Sequence, residues 1–184
     1  MENVGTVPAS VATILALQKV KGKVDVVINA GTCGGFQAKG AGIGDVFLTT
    51  AVANHDRRIQ IPPYIPYGIG KIESSKFVHV LAEAIEAKTG VCTTGNSLDK
   101  HDVDEKMMKD NDASVKDMEA AAIAWSCALY DTPFFGVKVV TDIVDGDVPS
   151  HEEFMENLAS AAKSLQDALP KVIEYICGKE HDEL

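Results

Sequence analysis

The sequence of 184 residues is poor in arginine and has no long apolar stretch. Only Arg57 and Arg58 carry guanidinium groups, and 17 basic residues against 27 acidic ones leave a net charge of −10. So acidic a chain repels a phosphate backbone, and we expect no nucleic-acid partner, although a small nucleobase ligand is compatible with this charge. The longest apolar candidate, residues 120–129, contains Ser126 and is too short to cross a membrane, so no membrane partner is expected.

The cysteines are few and scattered, at Cys33, Cys92, Cys127 and Cys177. They form no CxxC pair and have no histidine at ligand spacing, so we expect neither a disulfide framework nor a metal site. They are interpreted as reduced, mostly packed thiols, which favours a reducing compartment and a cytoplasmic location.

Two terminal segments are similar to targeting signals. Residues 7–17 have the length of a signal-peptide core, but an acidic stub precedes them and lysines follow where a cleavage site would lie. The favoured alternative is an α-helix capped by Thr6, with Pro8 in its first turn and Gly22 at its end. The tail 181–184 reads HDEL, an ER-retention signal that acts only on a chain entering the secretory pathway.

Strand-like and helical patterns alternate along the chain. The patterns predict strands at 24–29, 45–53, 91–94 and 134–140, helices at 7–17, 74–88, 117–129 and 152–176, the last with a kink at Pro170, and a long loop at 59–70. Such alternation predicts an α/β fold of three layers, with a mixed, largely parallel sheet flanked by helices. Since no linker or repeat interrupts it, we expect a single domain over residues 1–184.

Unusual residues lie at the predicted carboxyl ends of strands, where open α/β sheets bind ligands. The glycines of residues 31–35 match no dinucleotide or Walker pattern, and indicate either a tight turn or a backbone that approaches a ligand closely. Glu119 opens an alanine-rich helix, where it either complements the helix dipole or accepts hydrogen bonds from a sugar diol. Asp142 follows a buried strand, and either caps the next segment or donates a proton if burial raises its pKa.

Several segments follow one another along nearly the whole chain: VGTVPAS (4–10), INAGTCGGF (28–36), IGDVFL (43–48), HDRR (55–58), TTGNSLD (93–99), KDMEAAAIAW (116–125) and KVVTDIVDGD (138–147). Taken together, they resemble the nucleoside phosphorylase and nucleosidase family, and most closely its plant type of 5′-methylthioadenosine nucleosidase. The pair DMEAAA and VTDIVDGD is the specific part of this resemblance.

The resemblance implies hydrolysis of the bond between adenine and ribose in methylthioadenosine, without a metal or an organic cofactor. It also implies roles for matched positions. Asp142 would protonate N7 of the purine, with Lys138 and Thr141 in support. Glu119 would hold the ribose hydroxyls, Met118 would pack on the sugar, and Thr32, Cys33 and Gly34 would line the ribose side, while Leu98 and the backbone of Asp99 would flank adenine. An acid for the leaving group and a carboxylate near the hydroxyls suit a reaction that leaves positive charge on the sugar.

Three further expectations follow from the resemblance. The family's leading third, with early strands and the glutamate that activates water, precedes VGTVPAS, and its absence here is expected to impair turnover. Asn96 stands where close relatives carry aspartate, and we expect weaker polar contacts around the adenine loop. The family also implies a homodimer with the loop 61–67 at its interface.

Two other functions are alternatives to the nucleosidase. One is a phosphorylase, which needs arginines to bind phosphate, whereas this sequence has only Arg57 and Arg58. The other is a non-catalytic or storage-type relative of the same fold.

Overall fold

A computed structural model describes residues 3–20 and 24–179 of the chain. The helices are α1 (Thr6–Val20), α2 (Ile65–Ile69), α3 (Val78–Ile85), α4 (Asp102–Asp110), α5 (Ala120–Ala128) and α6 (Ser150–Ile176), and the strands are β1 (Val27–Gly35), β2 (Val46–Asn54), β3 (Ile72–Glu73), β4 (Lys88–Thr94), β5 (Ala113–Asp117) and β6 (Phe134–Ile143). The predicted helix end at Gly22 and the HDEL tail at 181–184 lie outside the described residues.

One mixed sheet organises the described residues. Its strands follow the order β3-β2-β4-β5-β1-β6, and β2 also pairs with β6, so that five strands close into a ring. The long pairings β1 with β6, β2 with β4, and β4 with β5 are parallel. The antiparallel pairings are short ones, β1 with β5, β2 with β3, and β2 with β6. The predicted mixed, largely parallel sheet is therefore confirmed.

Apolar side chains cover the sheet on both faces. Phe47 belongs to a cluster with residues of α1 and α5, whereas the next residue, Leu48, belongs to a cluster with residues of α3 and α6. Phe134 and Phe135 divide between the same two clusters. Because successive side chains of a strand point to opposite faces, this division places one helical layer on each side of the sheet, as the three-layer prediction requires.

The glycine-rich stretch is a strand, not the predicted loop. Residues 27–35 form β1, which pairs with β6 throughout. The glycines serve close packing: a Cβ on Gly35 would lie 2.7 Å from the Cβ of Ala41 and 2.9 Å from a methyl group of Val140. The sequence had indicated a tight turn or a close approach to a ligand, whereas at Gly35 the close contacts are with the protein's own side chains.

The segment before Met118 was also assigned wrongly. Residues 113–117 form β5, and the helix predicted from Asp117 begins at Ala120. The short strand escaped prediction because Lys116 and Asp117 are buried charges, which break the apolar pattern of an interior strand.

Other boundaries shift by several residues. The predicted helix 74–88 is shorter at both ends, since α3 spans Val78–Ile85 and β4 already begins at Lys88. The predicted loop 59–70 contains α2, and α6 continues through Pro170 without interruption. No helix within the described ranges is long and apolar enough to cross a membrane.

Candidate active site

A cavity of about 340 Å³ opens at the carboxyl ends of β1, β5 and β6. Of the ten residues that the sequence assigned to a site, eight line it: Thr32, Cys33, Gly34, Leu98, Met118, Glu119, Thr141 and Asp142. The other two do not: Asp99 is exposed, and Lys138 lies beneath the cavity among buried groups. The strand order therefore brings together segments that are more than 100 residues apart in sequence.

Asp142 is a buried carboxyl in the wall of this cavity. Its residue is 3% exposed, and Oδ1 lies 2.8 Å from the hydroxyl of Thr141. Burial raises its pKa above the ordinary value; the hydroxyls of Thr141 and Ser150 and the charge of Lys116 oppose the rise, while Glu153 adds to it. The environment therefore shifts the equilibrium of this carboxyl toward its protonated form.

Thr141 can serve Asp142 in either protonation state. Its Oγ1 also lies 3.1 Å from the carbonyl oxygen of Cys33, and a hydroxyl has a single proton to donate. When Asp142 is ionised, Thr141 can donate to it; when Asp142 is protonated at Oδ1, it can donate to Thr141, which then donates to Cys33. The contact that the sequence predicted between Thr141 and Asp142 is thus present.

Gly34 makes room for the acid. It is the strand partner of both Lys116 on β5 and Asp142 on β6. A Cβ at Gly34 would lie 2.6 Å from a methyl group of Val144 and 2.9 Å from Oδ2 of Asp142, closer than real Cβ atoms come. Only glycine at this position therefore leaves room for the carboxyl of Asp142 and for Val144.

Glu119 lies at the junction of β5 and α5, half-buried. Its Oε1 accepts a hydrogen bond of 2.8 Å from the backbone N–H of Gly5, whose φ of +98° suits glycine. No other hydrogen bond within the described ranges engages its carboxylate, which leaves Oε2 available to a ligand. The stretch before α1 therefore orients a carboxylate 114 residues away.

A buried ion pair anchors this junction and corrects the prediction for Lys138. Its Nζ lies 2.8 Å from Oδ2 of Asp117, and both side chains are almost fully buried, so Lys138 supports Asp117 and not Asp142. Asp117 also accepts hydrogen bonds from the hydroxyl of Thr94 at 2.6 Å and from the N–H of Ala120 at 2.8 Å. Since Ala120 begins α5, Asp117 fixes the start of the helix next to Glu119.

The pKa values of the pair show that both partners stay charged. Burial alone would raise the pKa of Asp117, but the charge of Lys138 and the hydrogen bonds from Lys138, Thr94 and Ala120 bring it below the ordinary value. Burial alone would lower the pKa of Lys138, but the charge of Asp117 brings it above the ordinary value. A lowered pKa of the acid and a raised pKa of the base are the shifts expected when each charge stabilises the other.

The loop after β4 forms another wall of the cavity through Leu98. Asn96, which the resemblance placed where relatives carry aspartate, makes several polar contacts in this loop. Its N–H and its amide nitrogen both donate to Oδ2 of Asp56, at 2.7 and 3.1 Å, and its Oδ1 accepts from the N–H and the hydroxyl of Thr6, each at 2.9 Å. Asn96 therefore caps α1, a role that we had predicted for Thr6 itself.

Four residues of the cavity were missed: Val4, Lys116, Asp117 and Phe154. One signal could have found two of them. Lys116 and Asp117 are adjacent charges between Val115 and Met118, directly before the motif that carries Glu119. Adjacent charges that interrupt an apolar stretch are either surface-exposed or functional, and here both are buried.

Other candidate chemistry lies away from this cavity. Arg57 and Arg58 line a separate cavity with residues of α2 and α4. Arg58 pairs with Asp104, and Arg57 contacts Tyr67. Over residues 3–20 and 24–179, no group of histidine, cysteine, aspartate or glutamate side chains is placed to hold a metal ion.

Comparisons with known proteins identify relatives along the whole chain. Residues 1–174 match the model of the phosphorylase superfamily. A 5′-methylthioadenosine nucleosidase of Arabidopsis thaliana is 46% identical over 184 residues, which cover 100% of this chain and 68% of the relative. A 5′-methylthioadenosine/S-adenosylhomocysteine nucleosidase of Bacillus subtilis is 32% identical, over a match that covers 94% of this chain and 78% of the relative.

The solved structure of the Arabidopsis thaliana 5′-methylthioadenosine nucleosidase without ligand is similar in fold. It superimposes with a TM-score of 0.94 at 45% identity, and the match covers 100% of this chain and 74% of that structure.

Proposed function

The chain belongs to the phosphorylase superfamily and to its methylthioadenosine nucleosidases. From that premise we propose that its cavity hydrolyses the N-glycosidic bond of 5′-methylthioadenosine: water supplies the new hydroxyl of the sugar, and adenine and 5-methylthioribose are released. The observation that carries the proposal is the meeting of Asp142 and Glu119 in one cavity. A volume of about 340 Å³ lies at the small end of the range of ligand pockets, as a nucleoside requires.

Asp142 is proposed as the general acid. Cleavage leaves electrons on the purine, and protonation at N7 lets adenine depart as a neutral molecule. A carboxyl group can donate that proton only if it still carries one, and the burial that raises the pKa of Asp142 favours this state. A positioned acid contributes typically about 10²–10⁴-fold to the rate.

Glu119 is proposed to bind the ribose hydroxyls. Departure of adenine leaves positive charge on the sugar ring, and hydrogen bonds from the hydroxyls to a carboxylate strengthen as this charge develops. Gly5 occupies Oε1 of Glu119, so the proposal assigns Oε2 to the ribose. Met118 and the Thr32–Gly34 end of β1 line the same cavity, and we assign them to the sugar.

The test of this function is release of adenine from methylthioadenosine by the wild-type chain, by Asp142→Asn and by Asp131→Asn. Asp131 is exposed and has a φ of +49°, which asparagine tolerates, so this variant is a matched control. We expect Asp142→Asn to lose at least about 10²-fold in rate and Asp131→Asn to retain the wild-type rate. Equal rates for the three proteins would exclude Asp142 from the mechanism.

We further propose a homodimer formed through the outer face of α1. Val7, Val11 and Leu15 are spaced four residues apart and are 72%, 52% and 60% exposed, so they form one apolar stripe. Trp125 and Val11 line one further cavity that adjoins this face, and the proposal adds the exposed Tyr64 and Tyr67 of loop 61–67 to the interface. A second copy is the proposed occupant because a twofold axis brings the same apolar stripe onto itself.

Sedimentation of Val11→Asp tests the dimer. We expect a dimer for the wild-type chain, a monomer for Val11→Asp, and a dimer for Met155→Asp, whose side chain on α6 is also exposed. A monomeric wild-type chain would refute the proposal.

The cytoplasmic location is also a proposal, which rests on the free thiols of Cys33, Cys92 and Cys127, all buried.

A further inference from the structure

A buried lysine holds the loop that forms the Leu98 wall of the cavity. Lys116 is 4% exposed, and its Nζ donates to the carbonyl oxygens of Ser97 at 2.7 Å and of Leu98 at 2.6 Å. Carbonyl oxygens only accept, so two of the three N–H groups of the ammonium are committed to this loop. Lys116 also lines the cavity, where it faces Asp142 across Gly34.

These bonds are the polar anchor of the loop's central backbone. Gly95 and Asn96 are tied to the body of the protein by bonds to Asp117 and Asp56. Within the described ranges, no other hydrogen bond reaches the backbone of residues 97–100. The position of the Leu98 wall is therefore set by one side chain on the neighbouring strand β5.

The lysine itself is held rigidly. Its own backbone is paired on both sides, with Thr93 of β4 and with Gly34 of β1. Burial lowers the pKa of its ammonium, and the charges of Asp142, Asp117, Asp99 and Asp104 oppose this. A charged donor in a desolvated site makes stronger hydrogen bonds to carbonyls than a neutral one.

We propose that Lys116 is a positioning residue for the purine: by holding the carbonyls of Ser97 and Leu98, it fixes the wall against which the leaving base is bound. The proposal rests on the nucleosidase function above. It assigns to Lys116 the affinity of the site for the base, since a wall that moves by an ångström no longer contacts the purine on one side. The sheet does not depend on this ammonium, because the strand pairing of Lys116 uses only its backbone.

The test compares Lys116→Met, Lys116→Arg and the control Lys109→Met. Methionine replaces the unbranched stem of lysine and removes its charge and donors, whereas arginine keeps the charge and the donors. Lys109 is an exposed lysine of α4. For Lys116→Met we expect the KM for methylthioadenosine and the Kd for adenine to rise about tenfold while kcat changes less than about threefold. Lys116→Arg should recover most of the affinity, and Lys109→Met should match the wild type.

Hydrogen exchange of the ligand-free protein gives a readout that needs no turnover. Loss of the clamp should speed amide exchange at residues 97–100 and leave β4 and β5 protected. If Lys116→Met does not fold, Lys116→Gln, which keeps a donor for one carbonyl, should give a smaller change in the same direction in both measurements.

The outcomes separate this inference from the function it rests on. A wild-type chain that neither binds adenine nor releases it would overturn the nucleosidase function and, with it, the role of Lys116 toward a purine. A wild-type chain that binds adenine, together with Lys116→Met at unchanged KM, Kd and exchange rates, would overturn the role of Lys116 alone. A variant with a lower Tm but unchanged KM and Kd would show a purely structural lysine, and would also overturn the proposal.

Discussion

Removing the charge of Asp117 should destabilise the protein more than the loss of the whole ion pair. In Asp117→Asn the amide replaces a carboxylate that receives three donors, from Lys138, Thr94 and Ala120. Its NH₂ group cannot accept, so one donor loses its partner, and Lys138 is left as a buried charge without a counterion. Lys138→Met leaves the converse problem, because Asp117 stays charged with only the hydrogen bonds from Thr94 and Ala120.

The magnitude follows from the burial of the pair. Both side chains are at most 2% exposed, so solvent cannot replace the lost partner. Breaking a buried pair from one side costs about 3–5 kcal/mol of unfolding free energy, whereas replacing both partners is often close to neutral. For a chain of 184 residues, about 2–4 °C per kcal/mol corresponds to a Tm lower by about 6–20 °C in Asp117→Asn.

The assay is a double-mutant cycle by urea unfolding of the wild type, Asp117→Asn, Lys138→Met and the double variant. We expect the double variant to be at least about 2 kcal/mol more stable than the sum of the single losses predicts. Lys106→Met breaks an exposed pair with Asp110 and should cost less than about 1 kcal/mol. Additivity of the two buried substitutions within about 0.5 kcal/mol would refute the reasoning.

The same pair gives a pH dependence of stability. The pKa of Asp117 is lowered in the folded state, so its contribution is present above the unfolded value of about 3.9 and is lost as the pH falls through the folded pKa. The pKa of Lys138 is raised, so its contribution is present below about 10.4 and is lost as the pH rises through the folded pKa. The stability difference between the wild type and the double variant should therefore be constant from about pH 5 to 9 and fall outside this window.

Three further outcomes are expected. Because burial raises the pKa of Asp142, the rate of adenine release should fall as the pH rises through that raised pKa, and a rate that increases steadily with pH would contradict an acid role. Gly34→Ala should lower the rate at least about tenfold, since the new methyl group would meet Val144 and the carboxyl of Asp142; an unchanged rate would show that this contact relaxes freely. Asn96→Asp should lower the unfolding free energy by about 1 kcal/mol by replacing a donor to Asp56 with a second carboxylate, and urea unfolding checks it.

The sequence predicted the architecture but misplaced the elements that carry buried polar groups. Apolar runs such as residues 134–140 gave a strand within a few residues of its observed bounds. The strand β5 was missed because its charged residues Lys116 and Asp117 find their partners in groups distant in sequence, loop carbonyls for the first and Lys138 for the second, which no local pattern reveals. For the same reason, Lys138 was recognised as a residue near the site, but its partner was not. The register between neighbouring strands decides which carboxylate lies beside an interior lysine, and the sequence alone does not show that register.

The partner of Lys138 also explains how two buried aspartates in one site acquire opposite protonation behaviour. Asp117 and Asp142 lie near the ends of strands that both pair with β1, and burial alone would raise the pKa of each. Lys138 outweighs burial at Asp117, which remains a carboxylate and holds α5. Asp142 receives only hydroxyl groups and the more remote charge of Lys116, whose ammonium is bonded to the loop carbonyls, so burial prevails there. Had Lys138 paired with Asp142, as the resemblance implied, its charge would have lowered the pKa of that carboxyl instead. Because Lys138 pairs with Asp117, no adjacent ammonium lowers the pKa of Asp142, which stays raised as a general acid requires.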